Sequence, residues 1–367
     1  MKYRDNLKYH FKPQSGWIND PNGLVYFRGK YHVFYQHAPM REVSDRPIHW
    51  GHTATTDFIN WEQLPIALYP DREYDDGGCW SGTAIVKDDV LYLFYAGSHT
   101  PAGADRQTES VCVAYSKDGI NFEKYEGNPV IPGFPKDGGP DFRDPAVTQK
   151  DGKYYLVMAT GNEAAGAARL LLYESEDLFN WNYKGIMSEW KGFKFAECPS
   201  FMPYKDKCLL TASVYGNAEN HFFSIKYGDF DGKNFAEKLS CSIDRGPDQY
   251  AGQAFLDGKG RAILMSWIPG WSWGGVLGQD IGCLSVPKEI TVKDGKVFCY
   301  PIEELCYLLK ESDDAVEITD NGFIIHRGMR DDVVYEGEIK DLKILRDDYI
   351  IEVFVNGGEI VYTAVLL

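Results

Sequence analysis

Five times along this chain a turn is followed by lysine or its equivalent and then by alternating aromatic and aliphatic residues. The segments are RGKYHVFYQH from position 28, KDDVLYLFYAG from 87, KDGKYYLVMAT from 150, YKDKCLLTAS from 204 and DGKGRAILMSW from 257. Alternation puts successive side chains on opposite faces, so each segment reads as a hairpin turn leading into a half-buried strand. A second pattern trails the first four, in TTDFINWEQL, SKDGINFEKY, SEDLFNWNYK and YGDFDGKNFAEK, which sets Asp57, Asp118, Asp177 and Asp231 at near-equal intervals. Repeating units of that spacing, built only of strands and turns, are what propeller blades look like, each a small four-stranded sheet around a central channel. The period therefore predicts an all-β chain with a five-bladed β-propeller over 1–290. A β-sandwich with chance repeats is the alternative, and sandwiches rarely keep so regular a long period.

After CLSVPKEI at 283 the period stops, while strand patterns continue in EITDNGFIIHRG, VVYEGEI and YIIEVFVNGGEIVYTAVLL. The last is a hairpin about Asn356-Gly357. Residues 291–367 are expected to form a small β-sandwich-like module, with IEELCYLL from 302 as a short helical link.

Aligned on the repeat, Asp20 precedes Lys30, Asp144 precedes Lys153 and Glu197 precedes Lys207 by nearly the same interval. All three fall in the segment ahead of the hairpin turn, the innermost strand of a blade, which lines the channel. The matching places in blades 2 and 5 hold Trp80-Ser81 and Tyr250. A single Asp before Pro is ordinarily a turn former. Three acids at one narrow mouth are something packing does not ask for, because like charges raise one another's pKa and destabilise the fold. Two carboxyls flanking a glycosidic bond are the machinery of sugar hydrolysis. With apolar neighbours Phe195, Ala196 and Cys198, Glu197 is expected to carry the raised pKa, leaving Asp20 ionised.

A net charge of −16 disfavours nucleic acid and anionic membranes as partners. A small saccharide suits the 9 Trp and 24 Tyr better, since such rings stack on sugars. The eight cysteines show no CxxC pair or regular spacing, so neither a zinc site nor a disulfide framework is indicated. The opening MKYRDNLKYHF is charged and no long apolar run follows, from which a cytoplasmic protein is expected.

The stretch HFKPQSGWINDPNGLVYF from 10 closely resembles the motif that opens glycoside hydrolase family 32, the invertases, fructanases and sucrose-6-phosphate hydrolases. FYQHAP, HWGHTATTDFINWEQLPIALYP, GCWSGTAI, FRDPAV, ECP, QYAGQ, RAILMSWIP, LSVPKEI and IIEVFVNGG extend the resemblance in order along nearly the whole chain. It implies a propeller followed by a β-sandwich and retaining hydrolysis of β-fructofuranosides. It also implies Asp20 as nucleophile, Glu197 as acid/base, Asp144 as a grip on fructose hydroxyls and Arg143 as the residue orienting the carboxylates. Asn19, Gln36, Trp50, Trp80, Ser81, Tyr250 and Trp267 match positions that shape the fructose pocket, and no metal or organic cofactor is implied. Three features depart from the family pattern. Ala196 and Ser200 replace an aromatic and an Asp beside the acid/base, RGPDQYAGQ is an imperfect match, and the segment after CLSVPKEI is short for a sandwich, which should therefore be abbreviated. An open β edge there would let two copies pair into a homo-oligomer. A propeller glycosidase acting on arabinose- or xylose-containing saccharides and a non-catalytic carbohydrate-binding propeller are the alternative readings.

Other features have plainer explanations. His49 and His52, three apart in a strand, point to opposite faces rather than to one metal. Arg41 and Arg46 are candidates for a sugar phosphate or ordinary surface arginines, Trp271 and Trp273 for a sugar platform or for packing between propeller and sandwich, and GNEAAGAARL from 161 for a lid or simple connector.

Overall fold

A computed structural model describes residues 7–39, 47–217, 219–269 and 282–366. Arg41, Arg46, Trp271 and Trp273 lie outside the described residues. The first sheet takes β1 (Trp17–Phe27), β2 (Lys30–Ala38), β3 (His49–Thr55) and β4 (Trp61–Leu68) in sequence order, each antiparallel to the next. The second takes β5 (Gly78–Lys87), β6 (Val90–His99), β7 (Thr108–Ser116) and β8 (Glu123–Lys124). The third takes β9 (Phe142–Lys150), β10 (Lys153–Asn162), β11 (Ala167–Ser175) and β12 (Asn182–Lys191), and the fourth β13 (Phe195–Tyr204), β14 (Lys207–Asn217), β15 (Asn220–Phe230) and β16 (Phe235–Cys241). The fifth joins β17 (Tyr250–Leu256), β18 (Ala262–Ile268), β20 (Lys288–Lys293) and β21 (Lys296–Pro301), with the short β19 (Cys283–Leu284) also on β18. The division expected at 290 thus falls within β20.

The first strands pack side by side, β1 against β5, β5 against β9, β9 against β13, β13 against β17 and β17 back against β1, which closes a ring. This is a five-bladed β-propeller, and the repeated turn-and-strand segments run into the second strand of each blade. Between blades the core is apolar and aromatic: Val157, Leu170 and Met187 of blade 3 meet Phe201, Leu210 and Phe230 of blade 4. At the outer edge Asp57, Asp118, Asp177 and Asp231 each accept from the backbone and side chain of the Asn three places on. The recurring D-x-x-N is therefore a side-chain-closed turn between third and fourth strands.

A 3-10 turn over Glu303–Leu308 links the ring to two three-stranded sheets, β22 (Val316–Thr319), β23 (Gly322–Ile325) and β24 (Val333–Glu336), and β25 (Leu342–Asp347), β26 (Ile350–Val355) and β27 (Ile360–Val365). Phe323, Ile325 and Tyr335 of one sheet share a core with Ile351, Val353 and Tyr362 of the other, an abbreviated β-sandwich. Its second sheet packs back on the propeller: Phe354 and Val361 join the core that holds Ile290 and Cys299.

Candidate active site

At one depth of the ring all five innermost strands slip in register. The slip lies between Ile18 and Pro21 in β1, Trp80 and Gly82 in β5, Arg143 and Ala146 in β9, Glu197 and Ser200 in β13, and Tyr250 and Gln253 in β17. Such bulges leave residues unpaired and re-aim their side chains. Asp144, Cys198 and Ala251 accordingly sit at φ of 60, 48 and 52 degrees. Proline follows Asp20, Asp144 and Cys198, and its missing N–H costs nothing where the ladder is already broken.

The ladders correct the phase inferred from counting along the chain. Asp20, Ser81, Asp144, Cys198 and Ala251 lie within the slips, whereas Glu197 is the last paired residue ahead of its slip, in line with Trp80, Arg143 and Tyr250. A second slip in β1, between Asn22 and Val25, adds the residue that made the spacings look alike.

The three predicted acids are brought together around Cys198. Its backbone N–H donates to Asp144 Oδ2 at 2.8 Å, and its Sγ lies 3.3 Å from Asp20 Oδ2 and 3.6 Å from Asp144 Oδ2. Asp20 also accepts from Ser81 Oγ at 2.6 Å and Asn19 Nδ2 at 3.0 Å. Glu197 Oε1 receives Arg143 Nε at 3.1 Å and Nη2 at 3.0 Å, and Tyr250 Oη donates to its Oε2 at 2.5 Å. Arg143 lies over the rings of Phe195 and Trp80, at 5.1 and 5.7 Å.

Electrostatics divide the acids differently from the sequence expectation. Burial, then the charge of Glu197, pushes Asp144 up to about 8 against the pull of Arg143. Asp20 is raised by burial and by Glu197, with the Ser81, Cys198 and Asn19 donors opposing. Glu197 faces a guanidinium and a phenol rather than the apolar flank that the sequence suggested. The Cys198 thiol is pushed well up by burial and three neighbouring carboxylates, and so stays a protonated donor.

The remaining predicted residues form the surround. Trp17 Nε1 donates to Asn19 Oδ1 at 2.7 Å and its ring meets Trp267 edge-on at 5.9 Å, while Trp267 pairs with Tyr250 across β18 and β17. Gln36 Nε2 donates to Cys79 O at 3.2 Å. Trp50 is fully buried, donating to Trp80 O at 2.9 Å, so it supports Trp80 from behind. Ala196 belongs to the core between blades 3 and 4, and Ser200 Oγ accepts from Ala254 N of the neighbouring β17 at 2.8 Å. His49 faces Pro47 O and Tyr69, whereas His52 stacks on Phe34 and meets His32. GNEAAGAARL forms a short 3-10 turn over Glu163–Ala165, closed by the Asn162 side chain, between β10 and β11.

Sequence reasoning missed the donor role of Cys198, which the ECP motif carried in plain view, and Glu109 on β7. Glu109 is 5 % exposed and accepts from Phe142 N at 2.7 Å and from Arg143 Nη1 at 3.2 Å. Asp141 accepts from the same Nη1 at 3.0 Å. No repeat position marks Glu109, because it comes from a third strand rather than a first.

The sequence model of the Glycosyl hydrolases family 32 N-terminal domain matches residues 10–301. The chain belongs to glycosyl hydrolase family 32. Among family-32 relatives it is 30 % identical to the sucrose-6-phosphate hydrolase of Escherichia coli, over 97 % of this chain and 88 % of that protein. It is 34 % identical to the raffinose invertase of Escherichia coli over 81 % of this chain, but spans under two thirds of that relative, 64 %. In structure it resembles a family-32 β-fructofuranosidase of Bombyx mori, with a TM-score of 0.85 and 28 % identity over 100 % of this chain and 89 % of that one.

Proposed function

We propose that this family-32 chain is a retaining β-fructofuranosidase that releases terminal β-D-fructofuranosyl units from sucrose, sucrose 6-phosphate or short fructo-oligosaccharides through a fructosyl-enzyme intermediate. What carries the reading is one cluster holding two carboxyls in different settings: Asp20 surrounded by neutral donors, Glu197 held by Arg143 and Tyr250. Relatives named for sucrose 6-phosphate, raffinose and levan, and a Bombyx mori variant solved with sucrose, point to the same substrate class.

In the first step an Asp20 oxygen bonds to C2 of the fructosyl unit as the glycosidic C–O bond breaks and Glu197 gives its proton to the departing oxygen. In the second, water bonds to C2, its proton passes to Glu197, and the ester to Asp20 breaks, so that the anomeric configuration is retained. Asp144, raised to about 8, presents a carboxyl that is largely protonated near neutral pH and both donates to and accepts from sugar hydroxyls. Trp17 and Trp80 supply apolar faces for the ring. In this reading the chemistry resides in the propeller and the C-terminal module is structural, and β21 as the last strand of the fifth blade supports a join between the two near Pro301.

Incubation with sucrose, 1-kestose and sucrose 6-phosphate tests the reading. Fructose release by the parent, and a loss of at least about a thousandfold in Asp20→Asn and Glu197→Gln, are expected. Sugar release from arabinan or xylan alone, or activity surviving in Asp20→Asn, would overturn it.

A further inference from the structure

Arg143 is shared. Nε and Nη2 address Glu197, while Nη1 is divided between Glu109 at 3.2 Å and Asp141 at 3.0 Å. Glu109 reaches this point from β7, and its other bond comes from Phe142 N, directly before Arg143. Burial pushes the Glu109 carboxyl up, against Arg143 and the Phe142 N–H. A further buried acid beside Asp20, Asp144 and Glu197 works against folding unless it performs a task.

Arginine stays charged at any working pH, so its partner carboxyl is held in the ionised form to the extent that the charge is not shared. An acid that must give a proton to a leaving oxygen needs that hold loosened. The Tyr250 hydroxyl on Oε2 tightens it further. The other charged or titratable neighbours are Asp20 and, where it is ionised, Asp144, both of which repel charge on Glu197, together with the Cys198 thiol, His221 beside the Tyr250 ring, and Arg106, whose Nη2 pairs with Asp141 at 3.2 Å. Resting on the role given to Glu197 above, we propose that Glu109 is a positioning residue that draws off part of the Arg143 charge and fixes its guanidinium, leaving Glu197 free to exchange its proton during turnover.

The test is the pH dependence of kcat/KM on sucrose, or on whichever fructoside the parent cleaves, for the parent, Glu109→Gln and Asp141→Asn. The basic limb, which reports loss of the proton from the acid, is expected about one pH unit lower in Glu109→Gln. Asp141→Asn moves it less in the same direction, since Asp141 is partly exposed and screened. The acidic limb moves less than the basic one in both. A folded Glu109→Gln with an unmoved basic limb, or with both limbs displaced equally, overturns the proposal. Should Glu109→Gln fail to fold by circular dichroism, Asp141→Asn decides: a lowered basic limb supports the proposal and an unmoved one overturns it. A parent inactive on every fructoside defeats the function proposed above and this role with it, a different result from an active parent with unmoved limbs.

Discussion

Tyr250 acts on Glu197 in the sense opposite to Glu109, since a donor to a carboxylate favours its charged form. Tyr250→Phe should therefore move the basic limb of kcat/KM upward and lower kcat/KM by about tenfold, the effect of one lost charge-assisted hydrogen bond. A limb that stays put or falls would contradict this. Asp144 offers a second contrast. Its carboxyl is raised from 3.8 to about 8 by burial, so ionising it opposes folding progressively as pH climbs through that interval. Asp144→Asn removes that penalty, and Asn, like Asp, tolerates the φ of 60 degrees. We expect it to melt at or above the parent, most clearly near pH 8, with kcat/KM down at least about a hundredfold. Asp144→Ala adds backbone strain of about 1 kcal/mol and should melt below Asp144→Asn. The acids of the inner strands were legible in the sequence because a repeat marks their place. Glu109 was not, since its contact with Arg143 crosses from the third strand of one blade to the first strand of the next.

At the scale of strands and turns, legibility followed the hydrogen bonds that the local sequence can close by itself. The D-x-x-N turns are such a case: Asp177 accepts from Phe179 N and Asn180 N at 2.8 Å each and from Asn180 Nδ2 at 2.7 Å, with Ser175 Oγ bracing it at 3.0 Å. These donors hold its carboxyl down, from 3.8 to about 2, in spite of some burial. A depressed acid contributes stability above its unfolded value that is lost as pH falls through the folded one, here between 3.8 and about 2. Asp177→Ala is expected to destabilise by roughly 1 to 2 kcal/mol at pH 7, because three N–H groups lose their acceptor, and by less near pH 2. Equal denaturation midpoints for parent and variant at pH 7 would refute this. The bulges were not legible, because counting along a chain cannot tell ladder rungs from unpaired positions. That is why Glu197 seemed to stand in the same setting as Asp20, when Glu197 is paired in its ladder and Asp20 lies within a slip. The fifth blade is likewise completed by β20 and β21, which lie beyond the last turn-and-strand repeat and pair through β18.

Over the whole molecule, the ring, the segment leading into it and the C-terminal sandwich are joined by a cluster of buried charges. His10 Nδ1 meets Asp347 Oδ2 at 2.9 Å and its Nε2 meets Glu352 Oε1 at 3.0 Å, while Glu352 also pairs with Lys288 of β20 and accepts from Val286 N at 3.1 Å. Asp347 in turn accepts from Lys8 N, Tyr9 N and His10 N, which pins the leading segment to β25. Such a join is invisible to periodicity because its members lie far apart along the chain. Burial disfavours charge on His10, but Asp347 and Glu352 outweigh it and raise the ring above 6.5. Lys288 and then His10 hold Glu352 down, from 4.5 to about 2, against burial, and His10 and the Lys8 and Tyr9 N–H groups hold Asp347 below 3.8. The raised histidine contributes stability fully below 6.5 and loses it as pH rises through its folded value, while Glu352 contributes above 4.5 and loses as pH falls towards about 2. Stability from the cluster is therefore greatest between those limits, declining on the alkaline side as His10 deprotonates. Glu352→Gln leaves Lys288 and His10 without their shared anion, and breaking a buried pair in this way costs about 3 to 5 kcal/mol. Thermal melts at pH 6 and pH 8.5 should show the variant well below the parent at pH 6 and the gap narrowing towards pH 8.5, as the parent loses the His10 contribution. A variant that melts with the parent at pH 6, or a gap that widens with pH, would show that the cluster does not hold the sandwich to the ring.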